Sequence, residues 1–322
     1  MNITLLGCGR WGSFIAWYMN CIKHNNVTVW GRDNDPLLDN LIATRKNEYV
    51  EFPEEIKLTH NLTEAINNSE IIIISISAPG VRDLMSNIIK IPAYKTKTFV
   101  LCMKGIEDST GKRLSEVLIE FGVDPNNIAV WVGPGHIQEF VRRVPNCMVI
   151  DSYNPDLTKS LASNFSSELI RFYIGNDIIG SEIGAAAKNV MGIGAGILDG
   201  LGFSVLKGAL MARGAHEVSR FIKALGGNEL SAYGLCHLGD YEATLFSQFS
   251  HNRRFGEMFI KGEPFSKLAE GVATASAMLK IANQQKIDLP ITQAIFNIIN
   301  NKSTPQEILK ELFSRESKKE FN

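Results

Sequence analysis

Six residues near the start of the chain restrict its fold more than any other feature. Gly7-Cys8-Gly9-Arg10-Trp11-Gly12 is a G-x-G-x-x-G turn between the β-branched run at 3–6 and the apolar helical stretch at 14–21. In such a turn the first glycine permits the sharp reversal, the second lets a pyrophosphate approach the backbone, and the third lets helix and strand pack closely. The helix N-terminus then offers free N–H groups and positive partial charge to phosphate. Glycine-rich turns also occur as plain connections, but this one joins a strand to a helix and is followed by a second strand at 27–30, which favours the dinucleotide-binding reading.

The rest of the first half agrees with a βαβ start. Short β-branched runs at 3–6, 27–30, 56–59, 71–76, 98–103 and 128–132, with weaker ones at 147–150 and 170–174, alternate with helical patterns. That alternation predicts a parallel, doubly wound sheet. Ile71-Ile72-Ile73-Ile74 is apolar without alternation, as a strand covered on both faces requires, so it is expected at the centre. Beyond about Asn176 the strand signal stops, and 205–225, 267–285 and 291–300 carry helical periodicity. Gly226-Gly227 is placed to stop one helix and Pro290 to open another, and Thr304-Pro305-Gln306-Glu307 reads as an N-cap with a capping box. The expected fold is α/β: a Rossmann-like, doubly wound sheet over residues 1–176, then an all-α domain over 177–322. The charged tail 315–320 is read as solvated.

Composition narrows the function classes. With 322 residues and a net charge of -1, the chain has material for two cores and no electrostatic case for nucleic acid. Five cysteines without a C-x-x-C pair predict reduced thiols rather than disulfides or zinc, and no metal site is expected. The apolar runs are too short or too interrupted by charge for a membrane span, and the N-terminus carries no export pattern, so the expected location is the cytoplasm.

Two regions carry chemistry. At the end of the second strand, where an acidic side chain suits the ribose of NAD and an arginine suits the extra phosphate of NADP, the order is Gly31-Arg32-Asp33. Arg32 is the better ribose-region candidate, which leans the cofactor toward NADP and leaves NAD open. In 184–192, glycines stand four residues before and after Lys188, on one helical face. Each mid-helix glycine costs roughly 1 kcal/mol relative to alanine, so something is expected to come close to that face. An ammonium in so apolar a helix is either snorkelling outward or placed for proton transfer, burial lowering its pKa into a useful range. Spacing alone leaves both readings open.

The stretch Gly184-Ala-Ala-Ala-Lys-Asn-Val-Met-Gly-Ile-Gly-Ala-Gly196 resembles the lysine helix of the NAD(P)-dependent glycerol-3-phosphate dehydrogenase family. The family's other landmarks follow in order over nearly the whole chain: the glycine loop, Lys104-Gly105, Gly133-Pro134, Gly239-Asp240, the run 252–256, and Glu270-Gly271. The resemblance implies interconversion of dihydroxyacetone phosphate and sn-glycerol 3-phosphate. It makes Lys188 the proton donor and acceptor, with Asp240 and Lys104 as its catalytic partners. Cofactor contacts are implied for Gly7, Gly9, Arg10, Trp11, Gly12, Arg32, Lys104, Ile137, Arg253, Leu268 and Glu270. Substrate contacts are implied for Lys104, Gly133, Lys188, Asp240, Ser250, His251, Asn252 and Arg253. The partners implied are a small phosphorylated substrate and, by default for such enzymes, a second copy in a homodimer.

Two positions depart from the family. Gly133-Pro134 is followed by Gly135-His136 where a serine or threonine is usual after the proline, and His251 stands where an arginine usually grips the substrate phosphate. Histidine is a weaker, pH-dependent phosphate ligand. Arg253 or Arg254 compensates, or the substrate is a different small hydroxy compound, or His251 is a solvated loop residue. A non-catalytic nucleotide sensor is disfavoured because it needs no proton donor, yet Lys188 and Asp240 are both present. His216 and His237 lack metal-ligand spacing and are read as structural.

Overall fold

The computed structural model describes residues 1–317, 319 and 320; Lys318, Phe321 and Asn322, at the end of the expected helical domain, lie outside the described residues. Eight strands form one sheet: β1 (Asn2–Leu6), β2 (Asn26–Trp30), β3 (Lys57–Thr59), β4 (Ile71–Ile74), β5 (Thr98–Leu101), β6 (Ile128–Val132), β7 (Asn146–Ser152) and β8 (Ile170–Ile174). Among them run the helices α1 (Arg10–Trp17), α2 (Pro36–Thr44), α3 (Leu62–Asn67), α4 (Val81–Ile88), α5 (Leu114–Glu120), α6 (Ile137–Val141) and α7 (Pro155–Phe165). After them come α8 (Ile178–Gly200), α9 (Lys207–Ala224), α10 (His251–Lys261), α11 (Glu270–Gln285), α12 (Pro290–Ile299) and α13 (Pro305–Phe313). No helix among the described residues is long and apolar enough to cross a membrane.

Every strand expected from the sequence is present, in the order β3-β2-β1-β4-β5-β6-β7-β8. The chain winds from β1 outward to β3, returns to β4 beside β1, and continues the other way. That reversal opens a crevice at the carboxyl ends of β1 and β4, the usual ligand position in such sheets. β4 is central, as its sequence predicts. Ile71 and Ile73 pack into the core on one face, with Phe14, Trp131 and Phe165. Ile72 and Ile74 pack into the core on the other, with Leu84, Met85 and Leu118.

Two local readings are corrected. The sheet is not wholly parallel: β7 runs antiparallel to β6 and parallel to β8. The link between β6 and β7 does not travel back along the sheet. It stays beside the glycine loop, where Phe140 of the short α6 stacks on Phe14 of α1 at 5.0 Å. The helical stretch 14–21 also changes character: α1 ends at Trp17, and Tyr18–Ile22 continues as a π-helical turn.

In the helical half, the Thr304–Glu307 capping box forms at α13, Pro290 opens α12, and Gly226 takes a left-handed φ of 83° beyond α9. α8 is the spine. Its first turns pack Ile178 and Ala185 against the sheet core, and the remainder, from Ile183 to Ile197, forms the centre of the helical core. A polar clamp fixes α8 against the start of α5. Glu182 accepts from Arg113 Nη1 at 2.7 Å, from the Ser115 amide at 2.9 Å and from the Ser115 hydroxyl at 2.5 Å, all buried. With every oxygen partnered, the desolvation of this ion pair is offset, and the turn bearing Lys188 is held at a set distance from the crevice.

The glycines of α8 do what their cost implied, admitting close neighbours. A Cβ on Gly196 would collide with the carbonyl oxygen of Arg253, and one on Gly192 would meet Thr244 and Asn252. α10 therefore lies against α8 at backbone contact, which brings its N-terminus to the crevice.

Candidate active site

A cavity of about 820 Å³ occupies the crevice. Its first wall is the glycine loop. Gly7 (φ 113°) ends β1, and a Cβ there would collide with the Ser75 carbonyl; a Cβ on Gly12 would collide with the Gly7 carbonyl. Gly9 is different, because a Cβ there meets nothing within 4 Å and would project into open space. Gly7 and Gly12 thus serve the turn itself, and Gly9 keeps a cradle clear at the N-terminus of α1, where helix amides are free to bind an anion. Arg10 and Trp11 line the same wall. At the far end, past Trp30, Arg32 is exposed beside Asp33, and its carbonyl oxygen is 2.8 Å from His60 Nδ1. The residues present fit a dinucleotide lying from Arg32 across the cradle at Gly9.

The inner end of the cavity is built by residues from both halves of the chain. Lys104, just after β5, donates to the Gly133 carbonyl at 2.7 Å and to Asp240 Oδ2 at 2.8 Å. The same Asp240 oxygen lies 2.7 Å from Lys188 Nζ, which also donates to Thr244 Oγ1 at 2.8 Å. Both ammonium groups converge on one buried carboxylate whose other oxygen, Oδ1, has no partner among the described residues. Lys188 is therefore not snorkelling. Burial lowers its pKa to about 8; Asp240 opposes that shift and Lys104 adds to it. Burial also raises the carboxyl of Glu270, against the pull of Lys188 and Lys104.

The expected site residues divide into those at the cavity and those behind it. Ile137, His251, Asn252, Leu268 and Glu270 line it with the glycine loop and Lys104. Lys188, Asp240 and Gly133 stand directly behind Lys104. Ser250 caps α10, its hydroxyl accepting from the Arg253 amide at 3.3 Å. Arg253 is not brought to the cavity; its guanidinium is held by Asp199 at 2.5 Å and Glu257 at 3.0 Å. His251 is half-buried, and Arg10 Nη1 lies 2.9 Å from its Nε2. His237 is buried between the Gly184 carbonyl and Tyr241, and burial holds its pKa at about 4, a neutral structural group.

Sequence reasoning passed over three residues here. Thr244 holds Lys188, and Asn189 donates to the Lys104 carbonyl at 2.9 Å, tying the two lysine segments together. His136 lines the cavity with an unpartnered, buried Nε2. Asn189 had one available signal, its adjacency to Lys188. Thr244 had none, since it lies in a π-helical turn, Glu242–Phe246, that only the tertiary fold brings to α8.

Residues 2–158 match the N-terminal model and residues 177–310 the C-terminal model of NAD-dependent glycerol-3-phosphate dehydrogenase. The chain belongs to this family. A glycerol-3-phosphate dehydrogenase [NAD(P)+] of Thermoanaerobacter sp. (strain X514) is 37% identical over 333 residues, covering 100% of this chain and 99% of the relative. One from Prosthecochloris aestuarii is 34% identical, covering 100% of both. The crystal structure of the glycerol-3-phosphate dehydrogenase from Coxiella burnetii superposes with a TM-score of 0.89 at 26% identity, covering 98% of this chain and 99% of that one. As a family member, this chain keeps the sheet and helical bundle of its relatives while placing His251 and Gly135 at the cavity.

Proposed function

We propose that this chain interconverts dihydroxyacetone phosphate and sn-glycerol 3-phosphate with NAD or NADP, using Lys188 as proton donor and acceptor. The observation that carries the reading is the convergence of Lys188 and Lys104 on Asp240 Oδ2 at the inner end of the cavity. In this reading residues 1–176 hold the dinucleotide and 177–322 supply the substrate side, with a homodimer as the assembly to test by light scattering.

The residues divide the work as follows. Gly7–Gly12 and Arg32 would hold the cofactor, which when bound supplies or accepts the hydride. Lys188, charged in the reducing direction, gives its proton to the substrate oxygen as negative charge develops there. Asp240 keeps that ammonium in place and favours its charged form, while Thr244 Oγ1 fixes its direction. Lys104, anchored on Gly133 and Asp240, adds a second positive charge beside the developing oxyanion. The Oδ1 of Asp240, buried and unpartnered among the described residues, leaves a free acceptor beside the two ammonium groups. Burial of the trio strengthens each of these interactions by excluding water.

A second reading, a dehydrogenase for another small hydroxy compound, is favoured by one feature. Gly135 (φ 153°) offers no hydroxyl, and a Cβ there would collide with Phe140. A steady-state assay decides between them. Turnover of dihydroxyacetone phosphate with NADH or NADPH supports the first reading. Turnover confined to other hydroxy or keto compounds overturns it.

A further inference from the structure

We infer that Arg10, whose backbone belongs to the glycine loop, uses its guanidinium to hold the phosphate of the substrate. This rests on the reading of the cavity as a site for a phosphorylated ketone.

Three cationic side chains line the cavity: Arg10, Arg32 and Lys104. Lys104 is committed to Asp240 and Gly133. Arg32 is exposed at the far end, past β2. Arg10 alone lies half-buried between them with no carboxylate partner among the described residues. Its Nη1 contacts the Nε2 of His251, its face lies over Tyr49 at 5.4 Å, and its Nε is buried without a partner. A guanidinium cannot accept, so the histidine nitrogen facing it must be the acceptor, and that ring is neutral. Burial, Arg10, Lys267 and Arg254 all act to keep it so. The contact therefore orients Arg10 without neutralising it. A half-buried, uncompensated cation lining a cavity calls for an anion from the ligand.

Position selects which anion. The amides at the start of α1 already face the cradle at Gly9, the place for a dinucleotide pyrophosphate. The Arg10 side chain leaves that loop for the first residue of α10, an eleven-residue helix capped by Ser250, with His251 and Asn252 at its positive end. Asn252 lies against Gly192, one turn along α8 from Lys188. An anion held between Arg10 and the start of α10 thus sits beside the proton donor, as a short phosphorylated ketone requires. The guanidinium comes from the first half of the chain because position 251 presents an imidazole.

The test compares Arg10→Gln with wild type on dihydroxyacetone phosphate and on unphosphorylated dihydroxyacetone, alongside NADPH affinity by fluorescence. A lost charge-assisted contact is expected to lower kcat/KM for the phosphorylated ketone by about 10- to 100-fold. The loss on unphosphorylated dihydroxyacetone and any change in NADPH affinity should be much smaller, because the loop meets the cofactor through its backbone amides. Adding His251→Arg to Arg10→Gln should restore much of the loss, because a guanidinium returns from the other side of the same contact. Equal losses on both ketones, or weaker NADPH binding with unchanged KM for the phosphorylated ketone, would overturn the inference. A wild type inactive on both ketones sinks the dehydrogenase reading instead. Calorimetry with inorganic phosphate in the presence of NADPH still decides the role of Arg10 in that case: binding lost in Arg10→Gln supports it and binding retained overturns it.

Discussion

Lys188 Nζ lies 2.7 Å from Asp240 Oδ2, on a helix whose neighbours leave the lysine only 7% exposed. Burial lowers the lysine's pKa by more than the carboxylate raises it, and the result is a value of about 8. The ammonium form donates, so ketone reduction is expected to fall as pH rises through about 8, and alcohol oxidation, which needs the free amine, to rise through the same range. Asp240→Asn removes the opposing attraction and should move the break to lower pH. Initial-rate profiles in both directions check this; a break that ignores Asp240→Asn would exclude Lys188 as the titrating group. Lys188→Ala should cost on the order of 10²- to 10⁴-fold in kcat with cofactor affinity intact.

The glycines of the loop separate by what surrounds them. Gly9→Val projects into the cavity and touches no protein atom within 4 Å of its Cβ, so the variant should melt as wild type does and bind NADPH far more weakly. Gly12→Ala drives a methyl into the Gly7 carbonyl and should lower Tm. Thermal melts with and without NADPH distinguish the two; normal NADPH affinity in Gly9→Val would move the cofactor elsewhere.

Arg32 is exposed at the end of β2, where a ribose 2′-phosphate is recognised in folds of this kind. Arg32→Ala should raise KM for NADPH more than for NADH. Parallel kinetics with the two cofactors measure the ratio, and equal effects would show that Arg32 reads neither.

The Glu182–Arg113 clamp is worth most through what its loss leaves behind. Glu182→Ala leaves the buried Arg113 guanidinium only the half-exposed Glu116 carboxylate at 3.2 Å and the Tyr153 hydroxyl at 3.0 Å, and should cost about 1 to 3 kcal/mol in urea melts. Since the clamp seats α8 on the start of α5, kcat should fall as well. A stability change below about 1 kcal/mol would mean that water reaches Arg113 and replaces the carboxylate.

α8 and α10 meet through Gly196 and the Arg253 carbonyl. Gly196→Ala should separate them at a cost of about 1 to 3 kcal/mol and draw His251 and Asn252 away from the cavity, raising KM for the phosphorylated ketone. Unchanged KM in a destabilised variant would show that the start of α10 does not bind substrate.

The sequence by itself determined the eight strands, the central place of β4, the helical second half and the glycine turn. These depend on periodicity and turn chemistry within a few residues: an isoleucine run needs two covered faces, and a positive φ at Gly7 or Gly226 needs glycine. Family resemblance then pointed to Lys104, Lys188 and Asp240, and the tertiary structure decided what they share, a single oxygen reached by segments 136 and 52 residues away from Asp240 (240 − 104 and 240 − 188). It also decided that β7 runs antiparallel to β6, because the intervening link packs on α1 instead of crossing the sheet. The same holds for the hydroxyl of Thr244, for Arg253 spent on Asp199, and for the contact between Arg10 and His251. A local pattern records which face of an element is buried. It does not record which partner, some 240 residues away, that burial selects, because the choice depends on how close two helices come, and here glycines along α8 set that distance.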